Sequence, residues 1–468
     1  MTVNARRILL VNNSDVGSGA GRIAWSLLEG ARARGHDVRY VVDVGHTDSA
    51  DVALLRVSGE PWRRPLLQLG DALTPFVGRV RGARWSRTQL HRLARPERIR
   101  DYWRGAEEFS FPATWKLLDF MPPAPDLVHC HDLLGDYFDL RALPWLASRV
   151  PVVLTLHNTW LMTGHCSHPL GCMRWKSGCG SCPDLRIYPA LRRDGTAGNW
   201  RRKASIYRES RLYIAAPCQW LTGMVENSML QPAVRHCRVI PHGVDLTVFR
   251  PGDREADRAR LGLRPGAFVL LLTAAGGQHN TWKDFATLRE AVGRAAAQLP
   301  GRELELIIVG GRGTDEGVNG ARIRFLPFQE NRSEMARYYR AADVYTHSTK
   351  ADTFPTAVLE ALACGTPVVA TRVGGIPEQV RHLATPQPGE CNTSDHARDA
   401  TGILVPPADP GAFAAALERL AADEGLRLAL GRNASHDAAA RFNVERQVRE
   451  YLSFYEEAIQ DWNQYADG

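Results

Sequence analysis

Lysine is scarce in this sequence. Of 58 Lys and Arg residues, only five are Lys: Lys116, Lys176, Lys203, Lys283 and Lys350. Lys and Arg are not interchangeable at buried or ligand-binding positions, so each Lys is worth inspecting on its own. Long apolar runs are also missing. Nothing approaches the ~20 residues of a membrane-spanning helix. Ile8 to Val11 is too short for a signal-peptide core and runs straight into a glycine-rich turn. The expectation is a cytoplasmic protein, with contact at the inner face of the membrane as an extension of that reading. The nine Cys are odd in number, and four of them (Cys166, Cys172, Cys179 and Cys182) fall within 17 residues. That pattern argues against a secreted disulfide framework and for one local site. Charge of one sign is lacking over most of the chain. The net charge of +7 is matched by Glu60–Arg104 alone, which holds eleven Arg against four acids. A uniformly basic nucleic-acid binder is therefore excluded. With 44% apolar and 23% charged residues, so are disordered, collagen-like and coiled-coil chains.

What is present reads as α/β. The 468 residues suffice for about two or three domains. Two segments open alike: Arg7-Ile-Leu-Leu-Val-Asn leads into Val16-Gly-Ser-Gly-Ala-Gly21, and Phe268-Val-Leu-Leu-Leu-Thr leads into Gly276-Gly277. A helical pattern follows each, and strand, glycine turn and helix is how a parallel α/β domain begins. Further buried-type strands start at Val38, Asp126, Val152 and Leu212, then at Leu304, Ile323, Val344 and Pro367. These give two Rossmann-like, doubly wound domains, 1–240 and 241–442. A terminal amphipathic helix lies in 443–468, with Val444, Val448, Leu452 and Tyr455 at helical spacing. Residues 46–120 (Arg- and Trp-rich) and 161–200 (Cys-rich) read as insertions in the first domain.

The sharpest local signal runs from Ala351 to Thr371. Asp352 and Glu360 stand eight positions apart, with the turn Thr353-Phe354-Pro355-Thr356 and a helix start between them. A helix N-terminus offers unpaired N–H groups and a positive dipole end to a phosphate or sugar hydroxyls. One turn into the helix, a carboxylate can accept two hydrogen bonds from vicinal hydroxyls such as those of a ribose. On composition alone, Asp352 is equally well read as a helix cap.

Asp352 through Gly374-Gly-Ile-Pro-Glu378 resembles the Glu-x7-Glu signature of the retaining glycosyltransferases of family 4, which have the two-domain GT-B fold. Other landmarks fall in order: Gly17–Gly21, Gly35-His36, His129-Cys-His131, Leu156-His157, Pro241-His-Gly-Val-Asp245, Lys283 and Gly310-Gly311. The Asp-Thr-Phe-Pro wording and the Cys-rich block are similar to a subgroup that includes colanic-acid-type polysaccharide glycosyltransferases. The resemblance implies two domains facing a cleft, with the terminal helix crossing back to the first. It also implies sugar transfer, with retention and without a metal in the chemistry. The donor would be a UDP- or GDP-linked sugar, and the acceptor a hydroxyl of a glycan, lipid-linked or small-molecule compound.

Residue by residue, the resemblance makes Glu360 the ribose ligand. Asp352, with the backbone of Thr353, Phe354, Pro355 and Thr356, surrounds the donor sugar. Lys283 neutralises the diphosphate and His157 lies near the sugar. Gly19, Gly310 and Gly311 line the donor, and Arg22 and His131 fall on the acceptor side. Two positions depart from the pattern. Asp352 stands where Glu is usual, and Gln278 replaces an Arg five residues before the Lys, with Arg312 and Arg22 as candidates to compensate. These departures leave room for a pseudo-glycosyltransferase, an epimerase of the same fold, or a non-catalytic nucleotide-sugar-binding protein.

Two features have competing readings from the residues themselves. Cys179-Gly-Ser-Cys182 has zinc-knuckle spacing, and with Cys166 and Cys172 it could close a structural zinc site, His165 and His168 being alternative ligands. Reduced thiols or a disulfide would also fill the loop. The Arg- and Trp-rich stretch 60–104 suits an anionic lipid or phosphorylated acceptor, or is simply a solvated helical insertion whose Arg pair with neighbouring acids.

Overall fold

The computed structural model describes residues 5–55, 63–73, 76, 80, 82–93, 101–135, 137–274, 280–311, 313–383 and 398–466. Gln278 and Arg312 lie outside them, as does much of the Arg-rich stretch. The chain divides into two compact units. One comprises Met1–Ala215, Thr222–Arg238 and Phe454–Gly468; the other comprises Ala216–Leu221 and Val239–Ser453.

The first unit is built on strands β1 (Arg7–Ser14), β2 (Asp37–Val44), β3 (Val52–Leu54), β4 (Leu127–Cys130), β5 (Val152–Thr155), β6 (Leu212–Ala216) and β7 (Val234–Val239). Their order in the sheet is β3-β2-β1-β4-β5-β6-β7. The register is parallel from β3 across to β6. The central strands β4, β5 and β6 are buried along their whole length, which explains why they read as unbroken apolar runs instead of alternating ones. The segment 46–120 departs from the expected insertion at its start. Val52–Leu54 is a strand of this same sheet, and only after it do the helices Arg63–Ala72 and Ala83–Leu93 leave the sheet.

The second unit repeats the plan with β8 (Phe268–Thr273), β9 (Leu304–Val309), β10 (Glu316–Val318), β11 (Ala321–Leu326), β12 (Val344–His347), β13 (Val368–Thr371) and β14 (Gly402–Val405). The order is β10-β11-β9-β8-β12-β13-β14, with only the β10–β11 hairpin antiparallel among the pairings. Phe268, Leu270, Leu306, Ile308, Val369, Leu417 and Leu430 belong to one continuous buried cluster between the sheet and its helices. The two doubly wound sheets match the expected fold class. The terminal helix, Val444–Ala466, starts within the second unit and finishes within the first, where Tyr213 OH donates to Asp461 (2.7 Å). Among the described residues no helix is long and apolar enough to cross a membrane.

Candidate functional site

In the second sheet, β8 is the turning point of the strand order, flanked by β9 on one side and β12 on the other. Open parallel sheets bind ligands beyond the carboxyl ends of the strands at such a point. Lys283 and Asp352 are brought to this edge by a stapled pair of loops. Lys283 bridges Thr349 in antiparallel fashion. Asp284 N donates to Ser348 O (3.1 Å), and Lys350 N to Trp282 O (2.8 Å). Asp284 then caps the helix Phe285–Gln298, fixing the lysine one residue before that cap.

The resulting geometry is a triangle. Lys283 Nζ lies 3.1 Å from Asp352 Oδ2 and 3.0 Å from His347 Nε2, while Nε2 is 3.2 Å from the same Oδ2. Behind it, His347 Nδ1 is 3.1 Å from Tyr345 OH, which is 2.9 Å from Thr273 Oγ1 at the end of β8. Burial alone would raise the Asp352 carboxyl, but the Lys283 cation and the His347 hydrogen bond outweigh it and hold the group below the usual carboxylate range. Burial, reinforced by Lys283, pushes His347 down to about 4. The imidazole is therefore neutral at neutral pH with a single N–H. Its Nε2 either donates to Asp352 or accepts from Lys283, and cannot do both.

Glu360 stands on the helix Thr356–Ala363 and accepts from Tyr339 OH (2.8 Å). The Tyr339 ring packs edge-on to Tyr345, centroids 5.5 Å apart. A run of aromatic and imidazole rings thus links the Glu360 side of the site to the Lys283–Asp352 side. The turn between the two carboxylates is held from below. Gly374 has φ +55°, and a Cβ there would lie 1.8 Å from Asp352 O; Gly375 N donates to Thr353 O (3.0 Å). Gly310 and Gly311 follow β9 at the same edge, where Val309 is in register with Thr273. Within the turn, Phe354 is buried, with its ring against those of His242 and Phe442. It contributes packing, and any ligand contact would come from its backbone. Pro355 caps the helix without a side-chain bond and has no N–H of its own. The amides of the first helical turn begin at Thr356.

In the first sheet the turning point is β1, between β2 and β4. Beyond β1, Ser18 Oγ accepts from Gly21 N (3.0 Å) and starts the helix Gly19–Arg32. A Cβ on Gly21 would sit 2.6 Å from Asp15 O, whereas one on Gly19 would meet nothing within 4 Å. Gly21 serves packing; Gly19 faces open space. Arg22 is exposed on the same helix. His131 Nδ1 lies 3.1 Å from His157 Nε2 with the rings stacked, so the structure brings these two expected residues together. Burial pushes His157 down to about 3, leaving it neutral. His129 is committed elsewhere, to Thr155 Oγ1 (2.7 Å) and to Tyr455 OH (2.6 Å) on the terminal helix.

Cys166, Cys172, Cys179 and Cys182 of the Cys-rich loop are free thiols. Among the described residues no three His, Cys, Asp or Glu side chains group as a metal's ligands, so the zinc expectation gains no support. Gly164 N donates to Cys179 Sγ (3.3 Å), and His165 Nε2 lies 3.3 Å from Cys182 Sγ. What pins the loop is Lys203, whose Nζ donates to Trp160 O (3.0 Å) and Thr163 O (3.1 Å) and pairs with Glu107 (2.8 Å).

Sequence reading missed His347, Tyr345, Tyr339 and the Lys203–Glu107 pair. His347 carried a faint signal, being an ionisable side chain at the end of an otherwise core-like strand five residues before Asp352.

A family model described as Glycosyltransferase Family 4 matches residues 17–248, and one described as Glycosyl transferases group 1 matches residues 269–423. The D-inositol 3-phosphate glycosyltransferase 1 of Catenulispora acidiphila is 31% identical over 349 residues, covering 70% of this chain and 73% of that protein. The chain belongs to glycosyltransferase family 4. A D-inositol 3-phosphate glycosyltransferase of Actinosynnema mirum is 37% identical over 235 residues, 47% of this chain. The chain spans about half the length of that relative, 51%. In fold, this family 4 member is similar to Anabaena Alr3699/HepE, solved in complex with UDP-glucose. The TM-score is 0.56 at 18% identity, covering 96% of this chain and 99% of that one. The shared fold is the two-domain, Rossmann-like GT-B fold.

Proposed function

We propose that this protein transfers a sugar, with retention of configuration, from a nucleoside diphosphate sugar to an acceptor hydroxyl. The observation that carries the reading is the Lys283–Asp352–His347 triangle at the turning point of the second sheet, next to the helix that bears Glu360. Breaking the anomeric bond builds negative charge on the departing diphosphate and positive charge on the sugar. A fixed ammonium and the free amides at a helix start stabilise the first of these where it develops. Lys283 and the Thr356 end of the helix take that role. Asp352, held ionised by Lys283, accepts from hydroxyls of the donor sugar, and Glu360 accepts from the ribose. Arriving diphosphate draws the ammonium toward itself, leaving Asp352 with His347 as its neutral partner. The departing phosphate oxygen takes the acceptor hydroxyl's proton, so the step needs no separate protein base.

HepE, solved with UDP-glucose, supports a uridine nucleotide as the first donor to try. The relatives named for D-inositol 3-phosphate support a phosphorylated polyol as an acceptor class. A glycan precursor is the alternative that the subgroup wording favours. In this reading Arg22 and His131 are the acceptor-side residues, Gly19 and His157 serve the donor side, and we place the enzyme in the cytoplasm.

The test is a panel of UDP- and GDP-linked sugars assayed for binding and for nucleotide release, with and without polyol and sugar acceptors. One nucleotide class should bind, and release should accelerate when an acceptor is added. Glu360→Ala should weaken donor binding about 10- to 100-fold, as expected for loss of a bidentate charge-assisted contact. Normal donor affinity and turnover in that variant would overturn the site assignment. Sugar isomerisation without an acceptor would overturn the transfer reading.

A further inference from the structure

We infer that Asp132, which had no part in the reading above, binds the acceptor's hydroxyl group on the first unit. The inference rests on the proposed transfer reaction and adds a residue to it. Asp132 directly follows His131, beyond the carboxyl end of β4 and beside the turning point of that sheet. Its backbone is fixed on both sides. The N–H donates to Asn12 Oδ1 on β1 (3.1 Å), and the carbonyl accepts from Tyr137 OH (2.8 Å). One carboxylate oxygen is also fixed: Oδ1 accepts from Asn158 Nδ2 (2.9 Å), next to His157, and from Leu134 N (3.3 Å).

The other oxygen is uncommitted. Among the described residues no hydrogen bond and no ion pair reaches Oδ2. A second acid on this edge shows what a purely structural carboxylate does there. Asp15, just after β1, takes donors on both oxygens: Val16 N and His46 N at Oδ1, and His46 N, Thr47 N and Thr47 Oγ1 at Oδ2. Asp132 is oriented through one oxygen only, and among the described residues its other oxygen has no donor and no cation pairs with the carboxylate. Burial pushes its carboxyl up to about 6, so the group carries a desolvation cost that its own contacts do not remove. An incoming O–H donated to Oδ2 would form a charge-assisted bond and relieve that cost. The chemistry selects a polyhydroxylated ligand, a sugar or cyclitol ring, whose hydroxyl donates. An anionic group is not what Oδ2 would receive; any phosphate on the acceptor must be held elsewhere.

Asp132→Asn keeps an oxygen for Asn158 and Leu134 and replaces Oδ2 by an NH2, which cannot accept. The probe acceptor is whichever compound, among inositol phosphates, hexoses and hexose phosphates, accelerates nucleotide release from a UDP-sugar by the unaltered protein. For Asp132→Asn the acceptor KM should rise about 10- to 100-fold. The donor Kd and the slow acceptor-free hydrolysis of donor should stay within about twofold of the unaltered protein. If Asp132→Asn does not fold, Asp132→Glu, which displaces the carboxylate by one methylene, should show the same split between acceptor KM and donor Kd. An unchanged acceptor KM, or equal losses for donor and acceptor, overturns the assignment while leaving the proposed transfer intact. Absence of any transfer by the unaltered protein across the whole panel overturns both.

Discussion

The two units each bury a lysine against a carboxylate, and the two pairs have opposite designs. In the first unit, Lys203 and Glu107 have side-chain exposures of 0% and 6%. The ammonium is saturated by Glu107, Trp160 O and Thr163 O, and lies 3.9 Å above the Trp160 ring. Trp160 Nε1 adds a further bond to Glu107 (2.5 Å). In the second unit, Lys283 and Asp352 are 11% and 25% exposed, and two partners, Asp352 and His347, share the ammonium. Burial pushes Glu107 up and Lys203 down, each towards its neutral form, whereas Asp352 is held firmly ionised. The remaining three lysines are exposed. A buried cation whose donors are all used holds the chain together; one with a donor to spare and an accessible partner is built to receive something.

The largest effect expected from this contrast is on stability, in the first unit. Lys203→Ala leaves Glu107 buried without a counter-charge, and breaking a buried pair in this way costs about 3–5 kcal/mol. Urea unfolding should show that loss. Replacing both partners, Lys203→Met with Glu107→Leu, should recover most of it because no charge is then stranded. A loss below about 1 kcal/mol for Lys203→Ala would break the contrast, since it would mean that saturation of the ammonium carries no weight.

Lys283→Ala should behave the other way round. Transfer should fall about 100- to 1000-fold, the scale of removing one charge-stabilising donor from a reacting centre, while unfolding free energy should fall by less than in Lys203→Ala, because Asp352 is 25% exposed and keeps His347 as a partner. Lys283→Arg should not rescue transfer, because a planar guanidinium cannot replace a compact ammonium that touches both Asp352 and His347. Full activity in Lys283→Ala would place this pair alongside Lys203–Glu107 as scaffolding. A smaller effect is expected behind the triangle. His347→Asn removes the imidazole that holds Asp352 from Tyr345, and should lower kcat about tenfold with little change in donor affinity. Because His347 is displaced to about 4, the unaltered protein should show no step from it in a pH–rate profile between about pH 5.5 and 8.

The strands, the glycine turns and the Asp352–Glu360 spacing were legible in the sequence because each is local. A buried parallel strand is a short apolar run, and a carboxylate one turn into a helix is a fixed offset from its start. The partners were not legible. Glu107 and Lys203 are separated by 96 positions, and Lys283 and His347 by 64, so only the folded chain tells which buried charge belongs to which. His347 and Tyr345 sit on a strand that is entirely buried, where their polar atoms look like core residues until Asp352 arrives from the following loop. Phe354 entered the reading through its backbone in the Asp-Thr-Phe-Pro turn; that its ring packs against His242 and Phe442 was not legible, because those partners lie far away in sequence. Cysteine spacing left the zinc reading without support, because a CxxC fixes only sequence distance, whereas a metal site needs several donors in the right geometry.

Asp132 carries the contrast to its limit, a partly buried carboxylate with no cation paired to it among the described residues, and its cost should be measurable without knowing the acceptor. Its carboxyl titrates near 6 in the folded protein and near 3.9 in an unfolded chain. Between these values the folded state binds more protons than the unfolded one, so stability falls as pH rises through that window. Above about pH 6 the full penalty is present; below about pH 4 both states are protonated and it vanishes. Asp132→Asn removes the ionisation, and at pH 7.5 it should therefore stabilise the protein by about 1–2 kcal/mol, less than the full shift because part of the group is solvated. That gain should shrink steadily and disappear near pH 4. A variant that is less stable than the unaltered protein at pH 7.5, or equally shifted at both pH values, would show that Asp132 is held for its structural bonds, as Asp15 is. A gain in stability accompanied by a raised acceptor KM is the outcome expected of a residue kept charged for its ligand at the expense of the fold.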